Sequence, residues 1–372
     1  MACFTFSGRI TALLQVKTAG NRKKHRETEK VADKTINEWA KKGMFATGLN
    51  IRTMADPQTK TMTFPVSERE EEWKREKLFR DEGPFYHLHT LPLQDRNILD
   101  EDNERKTIIN ITALTLQAFP VQMLAYALMT NHFHFILKGE EKDCQAFFES
   151  WKYRVVLFFS RHGKKGLSPL LEAGLTRIID LKQFRDEIAY VVRNSYVVRP
   201  DVNPLGDPWC SGYLYYNKIL PLIVGHPVST LGYRERRRLT RSMNTDIPAD
   251  FTVAEGMIRP ESFVNYRLVE ALFPNARKFT MWVFKNVEAQ IEVAFRLGER
   301  PQVTDDDILR VSLQLCHEKY SANGPKSLSL DQKKQLATLL KNRYYASNGQ
   351  LARYCNLSPA LVAELFPLAE HR

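Results

Sequence analysis

The sequence predicts an α+β fold: a small antiparallel sheet covered on one face by helices, followed by a helical C-terminal region. Three observations predict it. Apolar and aromatic residues cluster into short strand-like runs at 85–91 and 121–137, bounded by Gly83-Pro84 and Pro120. Stretches with the 3.6-residue apolar period of helices lie between and after those runs. Beyond Pro221 helical patterning takes over. The resulting order, strand, helix, strand, strand, helix, helix, suits an antiparallel sheet with helices packed against it.

Taken in order, residues 1–62 form a basic arm with few apolar positions, including Arg22-Lys23-Lys24-His25-Arg26. Such an arm suits contact with phosphates or a tail without a partner. Ser67 to Asp81 reads as a charged helix, with Ser67 and Glu70 at capping-box spacing and Glu70/Lys74 and Glu71/Arg75 as i,i+4 pairs. Phe85–Leu91 is an aromatic strand. Glu104–Phe119 is a helix with Ile108, Ile111, Leu114 and Leu116 on its apolar face, ended by Pro120. Val121–Ala127 and the following His-Phe-His run are strands, and Asp143–His162 and Lys182–Val198 are helices. Together, 63–220 make one domain. Residues 221–325 make a helical, basic extension, and 326–372 a terminal helical module.

Bulk properties narrow the function classes. The 54 Lys and Arg residues exceed the 43 acidic ones, and a net charge of +11 favours an anionic partner, nucleic acid first. No apolar run approaches the roughly 18 residues of a membrane span. The N-terminus carries no compact apolar signal segment. These features predict a soluble, cytoplasmic protein with no membrane partner, a monomer or homodimer. The five cysteines are scattered without any Cys-x-x-Cys, which argues against a disulfide framework or a zinc ribbon.

The most informative segment is Tyr126-Ala-Leu-Met-Thr-Asn-His-Phe-His-Phe-Ile-Leu137. On a strand His132 and His134 share one face, so two imidazoles converge as a metal pair or as a hydrogen-bonded pair. His87 and His89 form a second His-x-His on the earlier strand. On the helix over 181–198, Leu181, Phe184, Ile188 and Val191 mark the core face. Tyr190 lies on the opposite side with Asp186 and Asn194. A tyrosine among polar groups is either a surface residue or a nucleophile for phosphodiesters. A divalent ion on His132 and His134, with Asn194 as a third ligand, would be the Lewis acid such a nucleophile needs. Open positions for phosphate and water suit Mg²⁺ or Mn²⁺.

These residues resemble the REP-associated tyrosine transposases, members of the single-tyrosine HUH class. Residues 126–137 match the Y-x-x-M-P-N-H-x-H segment, and Tyr190-Val-Val-Arg-Asn194 matches the Y-I-x-x-N segment of that family's nucleophile. Asp207-Pro-Trp-Cys-Ser-Gly-Tyr213 is similar to the P-W-S-S-Y segment that follows. The likeness covers roughly residues 78–216. Thr130 and Ser195 stand where the family has proline. The resemblance implies a ferredoxin-like HUH nuclease domain, with metal ligands His132, His134 and Asn194 and the nucleophile Tyr190. It also implies cleavage and rejoining of single-stranded or hairpin DNA from palindromic repeats through a 5′-phosphotyrosine. A domesticated, non-catalytic DNA-binding regulator that keeps the fold is the alternative.

Two further segments bear on DNA. Arg234, Arg236, Arg237, Arg238 and Arg241 crowd a short helical stretch, a candidate phosphate contact. Near the C-terminus a short helix over 350–355, a turn at Asn356-Leu357 and a Ser358-Pro359 helix start resemble a helix-turn-helix. Its second helix lacks Arg and Lys, so a plain three-helix packing module fits as well.

Overall fold

A computed structural model describes residues 66–93, 97–198, 203–285 and 287–367; the arm expected over 1–62 lies outside them. Helix α1 (Val66–Glu82) leads into β1 (Phe85–Thr90). There follow α2 (Asp102–Leu116), β2 (Gln122–Leu128), β3 (Phe133–Lys138), α3 (Glu141–Arg161), β4 (Ala173–Ile178) and α4 (Leu181–Val198). The four strands form one antiparallel sheet in the order β2-β3-β1-β4. Because α1 begins at Val66, Ser67 sits inside its first turn rather than capping it, and Lys74 pairs with Glu71 at 2.7 Å rather than with Glu70.

Helices cover both faces of this sheet, not the one face expected. On one side Phe133, Phe135 and Leu137 pack with α2 and α3 around the fully buried Trp151, whose indole donates to Thr112 Oγ1 at 2.9 Å. On the other, Phe85, Ala125, Ala127 and Ile136 meet Phe184, Ile188 and Val191 of α4. The strand sequences explain this. The α4-side face of β1 to β3 carries Phe85, Leu124, Ala125, Ala127 and Ile136 beside the histidines, and leaving it open to water would forfeit that burial. β4 is a half-exposed edge strand, AGLTRI, whose sequence carries no alternating pattern and so gives no strand signal. Its Gly174 is dictated by a neighbour: a Cβ there would lie 2.4 Å from the His89 ring.

The extension is not purely helical. β5 (His226–Pro227), β6 (Thr252–Ala254) and β7 (Met257–Ile258) make a second small antiparallel sheet, with α5 (Tyr233–Thr240) between β5 and β6. It packs on α2, where Val228, Ile247, Phe251 and Ile258 share a core with Ala113 and Leu114. Asn110 of α2 fixes the β6–β7 turn, donating to the Gly256 carbonyl at 3.0 Å and accepting from Ile258 N at 2.7 Å. Strands of two or three residues carry too little pattern to be read from sequence.

The chain from 266 to 296 forms three helices: α6 (Tyr266–Leu272), α7 (Ala276–Lys285) and α8 (Val287–Arg296). Pro274 breaks the first from the second, and Asn275 Oδ1 then accepts from Lys278 N at 2.9 Å. Finally α9 (Asp305–Tyr320), α10 (Leu330–Tyr344), α11 (Asn348–Tyr354) and α12 (Pro359–Leu365) enclose a common core of Ile308, Leu336, Leu340, Leu351 and Val362. Ser358 caps α12 and Asn356 is left-handed at φ 53°, as the sequence predicts for that turn. Among the described residues no helix is long and apolar enough to cross a membrane. Cys144, Cys210, Cys316 and Cys355 are buried free thiols.

Candidate metal and tyrosine site

Strand β3 and the residue before it bring His132 and His134 to the α4 side of the sheet. There α4 presents Tyr190, and the turn after α8 presents Glu299. One ligand atom from each of His132, His134 and Glu299 lies within 4.8 Å of the others, and all three side chains are buried. His132 and Glu299 border a cavity of about 710 Å³ whose wall also includes Tyr190, Asn194 and Arg300.

Hydrogen bonds around the cluster fix which imidazole nitrogen is free. Glu187 Oε2 lies 2.7 Å from His87 Nδ1, so that nitrogen carries the proton. When His87 is neutral its Nε2 is an acceptor, and it takes the Nδ1–H of His134 at 3.1 Å. That leaves a lone pair on His134 Nε2. Likewise Asn131 Oδ1 accepts from His132 Nδ1 at 2.8 Å, with the amide held in that orientation by its donation to the Leu93 carbonyl at 2.8 Å. His132 Nε2 also keeps a lone pair. Arg296 and Gln183 hold Glu187 from its other side. Carboxylates and carbonyls behind histidines are the arrangement that orients metal ligands.

The cluster passes a test of fit for a cation. His134 Nε2 and Glu299 Oε1 are buried, 3.6 Å apart, and neither has a hydrogen-bond partner. With His134 in the tautomer above, two acceptors face each other without a proton between them, an arrangement that costs free energy unless something positive intervenes. Burial and the neighbouring His89 hold His132 down to about 4, and burial drives His134 well below the usual histidine range, so both rings are neutral at pH 7. Neutral imidazoles and a carboxylate are a donor set for a divalent ion.

No protein-family model, curated protein or solved structure matches this chain. The reading of the site therefore stands on its geometry.

Tyr190 Oη donates to Glu299 Oε2, the oxygen that does not face His134. Burial, reinforced by the Glu299 charge, raises the phenol well above its usual range. Burial likewise raises Glu299, against the opposing pull of the Tyr190 hydrogen bond. One carboxylate thus spans the metal cluster and the tyrosine. Of the residues singled out in the sequence, the structure brings His132, His134 and Tyr190 together. Asn194 lines the same cavity one turn beyond Tyr190, with its amide nitrogen donating to the Tyr190 carbonyl at 3.2 Å.

Arg234, Arg237, Arg238 and Arg241 are elsewhere, on a separate groove beside α3, and Arg236 lies outside its lining. His89 takes no part in the cluster and bonds the Leu297 carbonyl at 2.9 Å. Sequence reasoning missed Glu299 and the supporting pair His87 and Glu187. Leu297-Gly-Glu-Arg300 follows a helix far along the chain and carries no motif. Glu187, by contrast, sits three residues before Tyr190, where a carboxylate on the buried side of the helix was a visible signal.

Proposed function

We propose that this protein cuts and rejoins single-stranded or hairpin DNA with Tyr190 as nucleophile, in the manner of the REP-associated tyrosine transposases it resembles. The observation that carries the reading is the meeting of Tyr190 and the His132/His134 pair at the single carboxylate of Glu299. The β-α-β-β-α-β connection, with sheet order β2-β3-β1-β4, supports the ferredoxin-like HUH domain that the resemblance implies.

In the reaction Tyr190 Oη attacks the phosphorus and its proton passes to Glu299 Oε2. The P–O3′ bond breaks, leaving a 5′-phosphotyrosine and a 3′-oxygen that takes a proton from water. Attack of a 3′-hydroxyl on the phosphotyrosine, with the proton returned to Tyr190, rejoins a strand. His132, His134 and Glu299 Oε1 would hold Mg²⁺ or Mn²⁺, with Asn194 able to add an oxygen. The ion would draw negative charge from a non-bridging phosphate oxygen. Arg300, exposed on the cavity wall, offers a guanidinium to the same phosphate. The α11–turn–α12 unit is a second DNA contact on this reading.

The test is a denaturing gel. Labelled hairpin DNA incubated with the protein and Mn²⁺ yields a covalent adduct that Tyr190→Phe abolishes. An adduct that survives in Tyr190→Phe moves the nucleophile elsewhere, and no adduct from any repeat-derived hairpin leaves the non-catalytic DNA-binding alternative.

A further inference from the structure

The groove beside α3 has no role in the chemistry above. It measures about 790 Å³ and is lined by Arg154 and Arg161 from α3, Arg234, Arg237 and Arg238 from α5, and Arg241 just after it. Among the described residues no carboxylate lies within ion-pair distance of any of the six. The one acidic residue of α5, Glu235, turns back to accept from Gly232 N at 2.7 Å. Arg154 spends one nitrogen on Ser242 Oγ at 3.3 Å, and Arg237 lies over the Tyr233 ring at 5.6 Å.

Six guanidiniums around one groove repel one another in the free protein. Their density is explained by a polyanion that takes several at once, and guanidinium forks suit phosphodiester oxygens. The groove's position is informative as well. It lies in the α2/α3 layer, whereas the catalytic cluster lies on the α4 side, so the sheet separates the two. A single strand seated at Tyr190 cannot reach these arginines locally. Single-strand sites also interleave cations with aromatic platforms. Here the exposed rings on the lining are Tyr153, 69% exposed, and the imidazole of His162, against six cations.

We infer that the α3/α5 groove is a second nucleic-acid site that grips the backbone of a duplex segment while a single-stranded segment occupies the Tyr190 cavity. The inference rests on the DNA reading above and adds a site to it. The β5–β7 sheet acquires a purpose, because its packing on α2 sets α5 alongside α3.

The test compares the full chain with Arg237→Glu/Arg238→Glu and, separately, with Arg161→Glu, which charges the opposite wall. Fluorescence anisotropy reads the binding of a 20-base-pair duplex and of a 20-nucleotide single strand across a salt series. Both variants should bind duplex at least tenfold more weakly, with a salt slope about one unit shallower per arginine removed. Single-strand binding and adduct formation on an unpaired oligonucleotide should hold at the wild-type level. A wild-type chain that binds duplex, with a variant of either wall that binds it as tightly, overturns the groove but leaves the Tyr190 reading intact. A wild-type chain that binds neither DNA overturns both. Vesicles of phosphatidylserine and phosphatidylcholine form the last arm. Binding to them that is lost in the variants while duplex binding persists would assign the groove to lipid instead.

Discussion

The two sides of the sheet treat arginine in opposite ways. On the α4 side three cations are spent inside the protein, Arg193 on Asp307, Arg296 on Glu187 and Arg185 on Glu72 at 2.5 Å, while Arg300 stays exposed at the cavity. On the α3 side none of the six groove arginines has a carboxylate partner among the described residues. On the proposed reading the first set fixes geometry, because chemistry at one phosphorus would need its groups held to within a fraction of an ångström. The second set leaves its charge unspent, because gripping a backbone needs reach and not precision. Substitutions should therefore cost stability and metal affinity on the α4 side, and ligand binding alone on the α3 side.

The largest effect belongs to Asp307→Ala. Asp307 and Arg193 are both buried, and Thr304 Oγ1 adds a bond to the same carboxylate at 2.7 Å. Losing the carboxylate strands Arg193 uncompensated between α4 and α9, at a cost of about 3–5 kcal/mol. Urea unfolding reads it, and a loss below 1 kcal/mol would mean that Arg193 finds water there. Glu299→Gln comes next. The isostere keeps the bond to Tyr190 but loses a charged ligand, so Mn²⁺ affinity by calorimetry should fall by more than about 100-fold, the upper end for mere supporting groups. Unchanged Mn²⁺ binding would leave Asn194 as the third ligand in its place. His87→Ala removes a support and not a ligand. It frees the His134 tautomer, and Mn²⁺ affinity should fall by roughly 10–100-fold. An effect as large as that of Glu299→Gln would make His87 itself a ligand.

What the sequence disclosed follows the same division. Apart from β4, the strands and helices of residues 85–198 were legible because each carries a long apolar pattern, and the His-Phe-His spacing and the Tyr190 face follow from strand and helix periods alone. Glu299 was illegible because its meaning depends on a tertiary contact: a carboxylate after Leu297-Gly298 looks like any helix end until the chain returns over α4. The arginine run was visible as charge, but its pairing with Arg154 and Arg161 was not. That groove exists only because two strands too short to read, β6 and β7, dock on Asn110. β4 escaped for a related reason, since an edge strand needs only half a pattern and Gly174 serves the His89 ring rather than the strand.

The smallest predicted effect is the most discriminating. Arg234 is the second residue of α5, where a cation faces the positive end of the helix dipole. It is exposed, unpaired among the described residues, and shares its groove with five like charges. Each of these circumstances makes it unfavourable in the free protein, and alanine is the better helix former. Arg234→Ala should therefore stabilise the chain by about 0.3–1 kcal/mol in chemical denaturation, while weakening duplex binding and reducing the salt slope by about one unit. Opposite signs on the two axes mark a residue that serves a ligand at the expense of the fold. If Arg234→Ala instead destabilised the chain, the arginine would be holding the extension against α3, and the contrast between the two sides of the sheet would fail at that position.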